Sequence, residues 1–368
     1  MVRGSVAARR LLCQIGASLA IAVLPAMAQN AVSQVRAEME RLQRSLKEKP
    51  VAMPGFAFNA EKELKTISEA LDAGGLYTAL ERLNQVEGVI EGIRFAADRK
   101  AEVAKSGMPA FQAVFHQKGR DLAAFEKTLE TVDWSPMPAA VRALSDAART
   151  RTGPLLEGGL GFATAIGPAD GLFYLGQAEG EARFARFCAS LKLPRAGAPF
   201  PLRSLLPELD SLQEKTNAAF QPPRSIDQHP RFIALNSTLK LARELDAAKL
   251  YAGALYEYLE ATRHYGMLDM APLDDALKAE LKKDLAAAHR ELDADTRDHS
   301  IAQIFLERAD GQIAHADGST PGADDWRSAR AIADRVLPAF FAAQKPAAPL
   351  RQVAGKTVDI TLVRWPYT

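Results

Sequence analysis

The hydrophobic positions of this chain repeat three and four residues apart along most of its length, so the pattern reads as a succession of amphipathic helices. The longest such run, residues 231–266, has no proline and places Leu235, Leu239, Ala242, Leu245, Ala248, Tyr251, Leu255, Tyr258, Leu259 and Thr262 on one stripe. At 3.6 residues per turn that stripe must be buried against other helices. Ahead of it, residues 30–49 form a charged amphipathic helix with Val32, Val35, Met39, Leu42 and Leu46 on its apolar side, stopped by Pro50. Residues 51–58 are a short apolar loop. Asn59 then caps a helix to about residue 73, ended by Gly74-Gly75. A helix from Leu76 to about residue 105 carries Leu80, Leu83, Val86, Ile90 and Ile93, and two more are expected over 110–132 and 138–151.

Two stretches interrupt this rhythm. Residues 153–180 hold eight glycines among leucine, phenylalanine and alanine. They read as a connection in which glycine permits close backbone approach, followed by a helix over about 170–191. A flexible apolar lip over a groove or partner surface is the sharper alternative. Residues 194–230 contain Pro194, Pro199, Pro201, Pro207, Pro222, Pro223 and Pro230 around a short helix at 209–220, which makes them a stiff connection between two helical halves, 29–193 and 231–345. Beyond Gly266, helices are expected over about 272–292, 298–309 and 326–344, the last bent or interrupted at Pro338. The tail, 346–368, contains an alternating segment, 358–363, that reads as one short C-terminal β-strand, pairing with an extended piece such as 51–53 or 200–205, or with a partner.

Within 231–266 the residues resemble a tetratricopeptide (TPR) repeat, a 34-residue helix–turn–helix unit. Thr238, Leu241, Ala242 and Leu245 fall at the W-x2-L-G-x2-Y positions, and Ala254 and Tyr258 at the A-x3-F step. Thr238 stands in place of tryptophan, Ala242 of glycine and Gly266 of the closing proline. The match does not recur one period away, and a single long helix over the same residues is the alternative. A fainter echo links residues 71–77 (LDAGGLY) with 245–251 (LDAAKLY), identical at five of seven places, as repeated helical hairpins would be. The fold expected is all-α: antiparallel helical hairpins in an irregular bundle or a short TPR-like solenoid.

The first 28 residues read as a secretory signal peptide. Arg3, Arg9 and Arg10 form a positive start, 11–24 is apolar, and Ala26-Met27-Ala28 has the small-x-small form of a cleavage site, placing the mature start at Gln29. The apolar stretch is short for a bilayer span, so no transmembrane segment is expected after cleavage. Arg9-Arg10 followed by Leu11-Leu12 also matches part of a twin-arginine signal. The expected location is outside the cytosol, periplasmic or extracellular. Losing residues 1–28 takes three arginines and no acid from 46 basic and 45 acidic residues, leaving a formal charge of −2. That leaves no global basic field for nucleic acid or anionic lipid. The mature chain keeps only Cys188, which cannot form an internal disulfide and, flanked by Phe184, Phe187 and Leu191, reads as a buried thiol.

Candidate chemistry is sparse. The six histidines (His116, His229, His264, His289, His299, His315) form no H-E-x-x-H, E-x-x-H or C-x-x-C-H motif, no G-x-S-x-G occurs, and no G-x4-G-K-[ST] follows a strand. No cofactor is expected. Glu260 and His264, four apart on one helix face with Glu257 a turn earlier, are the weak metal candidates, against a mutually paired edge as the plainer reading. Tyr251, Tyr258, Arg263 and His264 would line a concave binding surface if the TPR-like resemblance holds. Asp293, Asp295, Asp298 and His299 read as a solvated face. The function expected is a non-enzymatic helical scaffold that binds a protein or peptide partner in the cell envelope. The alternative is an envelope enzyme or small-ligand-binding protein with its site in a groove between the halves.

Overall fold

The computed structural model describes residues 29–47, 59–195, 197–222, 226–268, 273–316 and 323–345, and their secondary structure is helical throughout. The expected leader at 1–28, the expected loop at 51–58, residues 317–322 and the expected strand at 358–363 lie outside them. Helix α1 (29–47) buries Val35, Met39 and Leu42 of the expected stripe together with Ala31, and leaves Val32 and Leu46 half-buried. Asn59 caps α2 (Ala60–Asp72) by accepting the Lys62 amide at 3.0 Å, and Gly74, at φ 85°, turns the chain into α3 (Leu76–Ser106). Gly107, at φ 69°, makes the next corner into α4 (Met108–Glu130).

The glycine-rich stretch is largely helical. Helix α5 (Ala139–Ala165) runs on through Pro154 and four glycines, and α6 (Leu172–Ser190) starts after a short turn. The expected end at residue 151 is therefore corrected. Glycine disfavours a helix by about 1 kcal/mol relative to alanine, but here it buys contact. A Cβ on Gly176 would lie 2.5 Å from the Phe95 Cβ and 2.7 Å from the Gly92 Cα, and one on Gly180 would lie 2.7 Å from the Gly88 Cα. The backbones of α3 and α6 thus meet through facing glycines.

Extended residues 197–205 lead to α7 (Leu206–Ala219) and carry one isolated parallel bridge, Ala198 with Arg297, in which the Ala198 amide donates to the Thr296 carbonyl at 2.9 Å. The 231–266 run is a hairpin, not one long helix: α8 (His229–Ala247) and α9 (Tyr251–Gly266) join at a turn in which Lys249 takes φ 60°. There the Leu250 amide donates to the Leu245 carbonyl and the Lys249 amide to Asp246, both at 2.9 Å. The α2–α3 turn closes the same way, Gly75 to Ala70 and Gly74 to Leu71. The two turns share one design, one residue out of register with the sequence echo, which pairs Lys249 with Gly75 and not with Gly74.

Helix α11 (Ser300–Ala316), which follows α10 (Asp275–Ala294), fastens distant helix starts. Asp298, just before α11, accepts the Ser300 amide at 3.0 Å and the Ala139 amide of α5 at 2.7 Å, while Glu307 accepts the Thr78 amide of α3 at 2.9 Å. These carboxylates satisfy amide donors that a helix cannot satisfy itself. Asp298 and His299 are buried, so the solvated-face reading of that cluster is corrected. The last segment is interrupted, as expected near Pro338: α12 (Ala323–Ala331) passes through a π-helical turn, Ile332–Val336, into α13 (Leu337–Ala343).

One hydrophobic cluster, from Val35 in α1 to Ala343 in α13, draws on residues either side of the Pro-rich connection. Helices far apart in sequence pack together, α3 on α6 and α11, α5 on α9 and α11. In a repeat stack each unit touches only its neighbours. No helix among the described residues is long and apolar enough to cross a membrane.

Because alanine favours a helix over glycine, Gly176→Ala and Gly180→Ala test the close crossing against propensity. Each is expected to destabilise by about 1–3 kcal/mol, whereas Gly88→Ala, whose Cβ would meet nothing within 4 Å, is expected to be neutral or stabilising. Urea denaturation of the three variants checks this.

Candidate functional site

Helix α9 presents two chemically different faces, and they separate the residues that the sequence grouped together. Tyr258, Thr262 and Tyr265, at spacing i, i+4 and i+7, look outward onto a groove of about 410 Å³. Its opposite wall is α7, through Glu208, Leu212 and Lys215, and its end is closed by Asp334, Arg335 and Pro338 from the π-turn and α13. A buried carboxylate and an arginine hold the start of α7 in place. Asp246 of α8 accepts the Leu205 amide at 2.7 Å and the Ser204 hydroxyl at 2.8 Å, and Arg203 donates to the Lys345 carbonyl at 2.9 Å. Burial raises the Tyr258 phenol above its ordinary value. On the other side of α7, a second cavity of about 480 Å³ is lined by Phe220, His229, Phe232 and Ile233.

The inward face of α9 carries Tyr256, Glu257, Glu260, Arg263 and His264 into a network of charges. Glu260 accepts from Arg263 at 2.5 Å and from Arg308 of α11 at 2.5 Å. Arg308 also donates to Glu81 of α3, which accepts the Tyr256 hydroxyl as well. Beside them Arg151 of α5 bridges Glu257 and Glu181, each at 3.1 Å, and Arg263 donates to Ser328 of α12 at 3.1 Å. Burial alone would raise Glu260, but Arg263 and Arg308 outweigh it and hold its carboxyl well below the usual range. Burial lowers His264 to about 4, with Arg263 adding to the effect, so the imidazole is neutral near pH 7. Burial raises Glu257 to about 7 against the pull of Arg151.

Of the expected binding residues, only Tyr258 reaches the groove. Arg263 and His264 lie about 140° and 120° from it around the helix, at 100° per residue, and belong to the inward network. Tyr251 is half-buried at the first position of α9 and lines neither cavity. The metal candidates do converge, with His264 Nε2 3.4 Å from the Glu260 carboxylate. Two guanidiniums already occupy that carboxylate, and among the described residues no group of three potential ligands is arranged for a metal ion. Tyr265, Lys215 and Arg335 were not singled out by sequence. Tyr265 was open to detection, one heptad beyond Tyr258 on the same stripe; the others come from elements whose placement has no local signal.

A second ionic cluster ties α1 to the α3–α6 pair: Arg41 donates to Glu87 at 2.5 Å, Arg183 to Glu91 at 2.8 Å and Lys118 to Glu179 at 2.6 Å. Burial raises Glu87 to about 8, only partly offset by Arg41. Cys188 is buried, as expected, and burial pushes its thiol well up. The α5–α6 corner exposes Phe162 and Ile166, and Phe162 packs on Tyr174 with ring centroids 4.5 Å apart.

No family model matches the chain, and neither a curated protein nor a solved structure matches it.

Glu87, Glu257 and Glu307 (the last raised by burial to about 7) bind a proton more tightly folded than unfolded. Their contribution is greatest below the unfolded carboxylate range and is lost as pH rises through about 7 to 8. Stability is therefore expected to fall between about pH 6 and about pH 8.5, and Glu87→Gln to flatten that fall by about 1–3 kcal/mol. Urea midpoints across this range for both proteins check it; parallel curves would contradict the assignment.

Proposed function

We propose that this protein is an exported, non-enzymatic helical scaffold that binds a protein or peptide segment in the groove between α7, α9 and α13. The observation that carries the reading is the make-up of that groove: two tyrosines set one above the other on a rigid helix, faced by a short helix anchored at its start. Tyrosines supply large contact area at low entropic cost, with a hydroxyl to orient the partner. Beneath them the charges of α9 are committed to one another, so α9 serves as a wall whose inward chemistry is used by the fold. Export is supported by the leader-like residues 1–28.

Peptides selected from a displayed random library on the wild-type protein are expected to lose about tenfold or more in affinity for the Tyr258→Ala, Tyr265→Ala double variant. Ile233→Ala, on the far side of α7, should leave affinity unchanged. Equal binding by the double variant, with its helical content intact, would remove the groove from the proposal. Expressed from the full sequence in a bacterial host with both export routes, the chain is expected outside the cytosol with an intact mass beginning at Gln29. Retention of residues 1–28 on a cytosolic product would refute export.

A further inference from the structure

The charges around the groove are not balanced in the way its lining first implies. Glu208, Asp334, Lys215 and Arg335 cancel formally, but both acids are already engaged from outside the lining. Arg203 donates to Glu208 at 2.5 Å, and the other Glu208 oxygen is buried away from solvent. Arg330 donates to Asp334 at 2.6 Å. Lys215 and Arg335 are exposed and have no ion-pair or hydrogen-bond partner among the described residues. Arg203 and Arg330 answer the two acids, Arg330 also lying 3.8 Å from Glu280 and from Asp284, so Lys215 and Arg335 are the unanswered charges of the lining. Its accessible polar groups include an ammonium and a guanidinium, which only donate, beside two phenols, the Ser211 hydroxyl and the Asp334 carboxylate.

We infer that the occupant of this groove is an acidic polypeptide segment, whose carboxylates lie on Lys215 and Arg335 while an apolar side chain rests between Tyr258 and Tyr265. This deepens the peptide-binding reading and rests on it. The chain's own tail is the wrong sign for the position. Residues 346–368 carry Arg351, Lys356 and Arg364 against Asp359, which leaves them net basic and repelled by the free cations. Because exposed ion pairs are individually weak and screened by salt, the aromatic wall holds the segment and the cations choose its sign and register.

The test uses the full mature protein and three short fluorescent peptides of equal length: one alternating glutamate with leucine, its lysine-for-glutamate counterpart, and its glutamine-for-glutamate counterpart. Fluorescence anisotropy is expected to rank them glutamate, glutamine, lysine, with glutamate binding weakened as sodium chloride is raised. The Lys215→Glu, Arg335→Glu double variant should lose about tenfold for the glutamate peptide and gain for the lysine peptide. Competition with inorganic phosphate separates a peptide site from a general anion site; full displacement at low concentration would overturn the inference. Equal binding of all three peptides, still abolished by Tyr258→Ala with Tyr265→Ala, would overturn the acidic assignment and leave the groove as a peptide site. Binding of none of the peptides, together with failure of the displayed library to yield any Tyr258-dependent ligand, would overturn both.

Discussion

Arg308 donates to Glu81 on α3 and to Glu260 on α9, and this pair of ion bridges is the constraint around which the centre of the molecule is arranged. Taking three charges out of water costs several kcal/mol for each ion, and only close, well-directed contacts return it. The surrounding groups are placed to do so. Tyr256 donates to Glu81, Arg263 adds a second cation to Glu260, and burial with neighbouring cations keeps His264 neutral where a further positive charge would be costly. Three helices remote in sequence must meet at one point for this to work. The neighbouring contacts follow from it: α5 supplies Arg151 to the same face, and the small residues Ala252, Gly253 and Ala254 let α9 approach. A Cβ on Gly253 would lie 2.7 Å from the Asp146 Cβ of α5.

Such an interior contributes less to stability than an equally well packed apolar one. Its value is selectivity. Leucine-and-alanine helices can slide past one another by a turn and still bury similar area, because their stripes are nearly uniform along the axis. A Glu–Arg pair cannot, since a shift of one turn leaves a buried charge alone. The remote caps work in the same sense. Asp298 reaches the start of α5 and Glu307 the start of α3, so α11 is fixed lengthwise against both. The chain reaches a single packing by making wrong ones costly.

What could be read from the residues follows from how local each interaction is. Helix existence, the Asn59 cap, the Gly74 and Gly107 corners and the buried setting of Cys188 are decided within a few residues, and they were legible. The residues leave the Lys249 corner open between a hairpin and one long helix, because a positive φ at a lysine gives no compositional cue. The run to Ala165 was misread because glycine and proline signal a break when only the local cost is counted. The compensating contact, Gly159 against the Gly171 carbonyl and Leu175, is made with the start of the next helix. The site fails in the same way. Arg263, His264 and Tyr258 are close in sequence, yet the helix turns them to opposite sides, and the partners that decide which side is the interior (Glu81 and Arg308) are 227 residues apart.

That division ties the interior to the groove. Tyr258 faces outward because Glu257 and Glu260 face inward, and rotating α9 by one residue, about 100°, would put a phenol among the arginines and a carboxylate in the groove. The apolar stripe alone does not fix this rotation, since Leu255, Leu259 and the alanines around them leave α9 buried over most of its circumference. The ion network does fix it. The outer wall is then set by groups that never touch a partner, and α7 and the π-turn need only bring Lys215 and Arg335 to a surface already oriented. In this protein the costly buried charges shape the groove indirectly, by holding α9 at one angle while its tyrosines stay accessible.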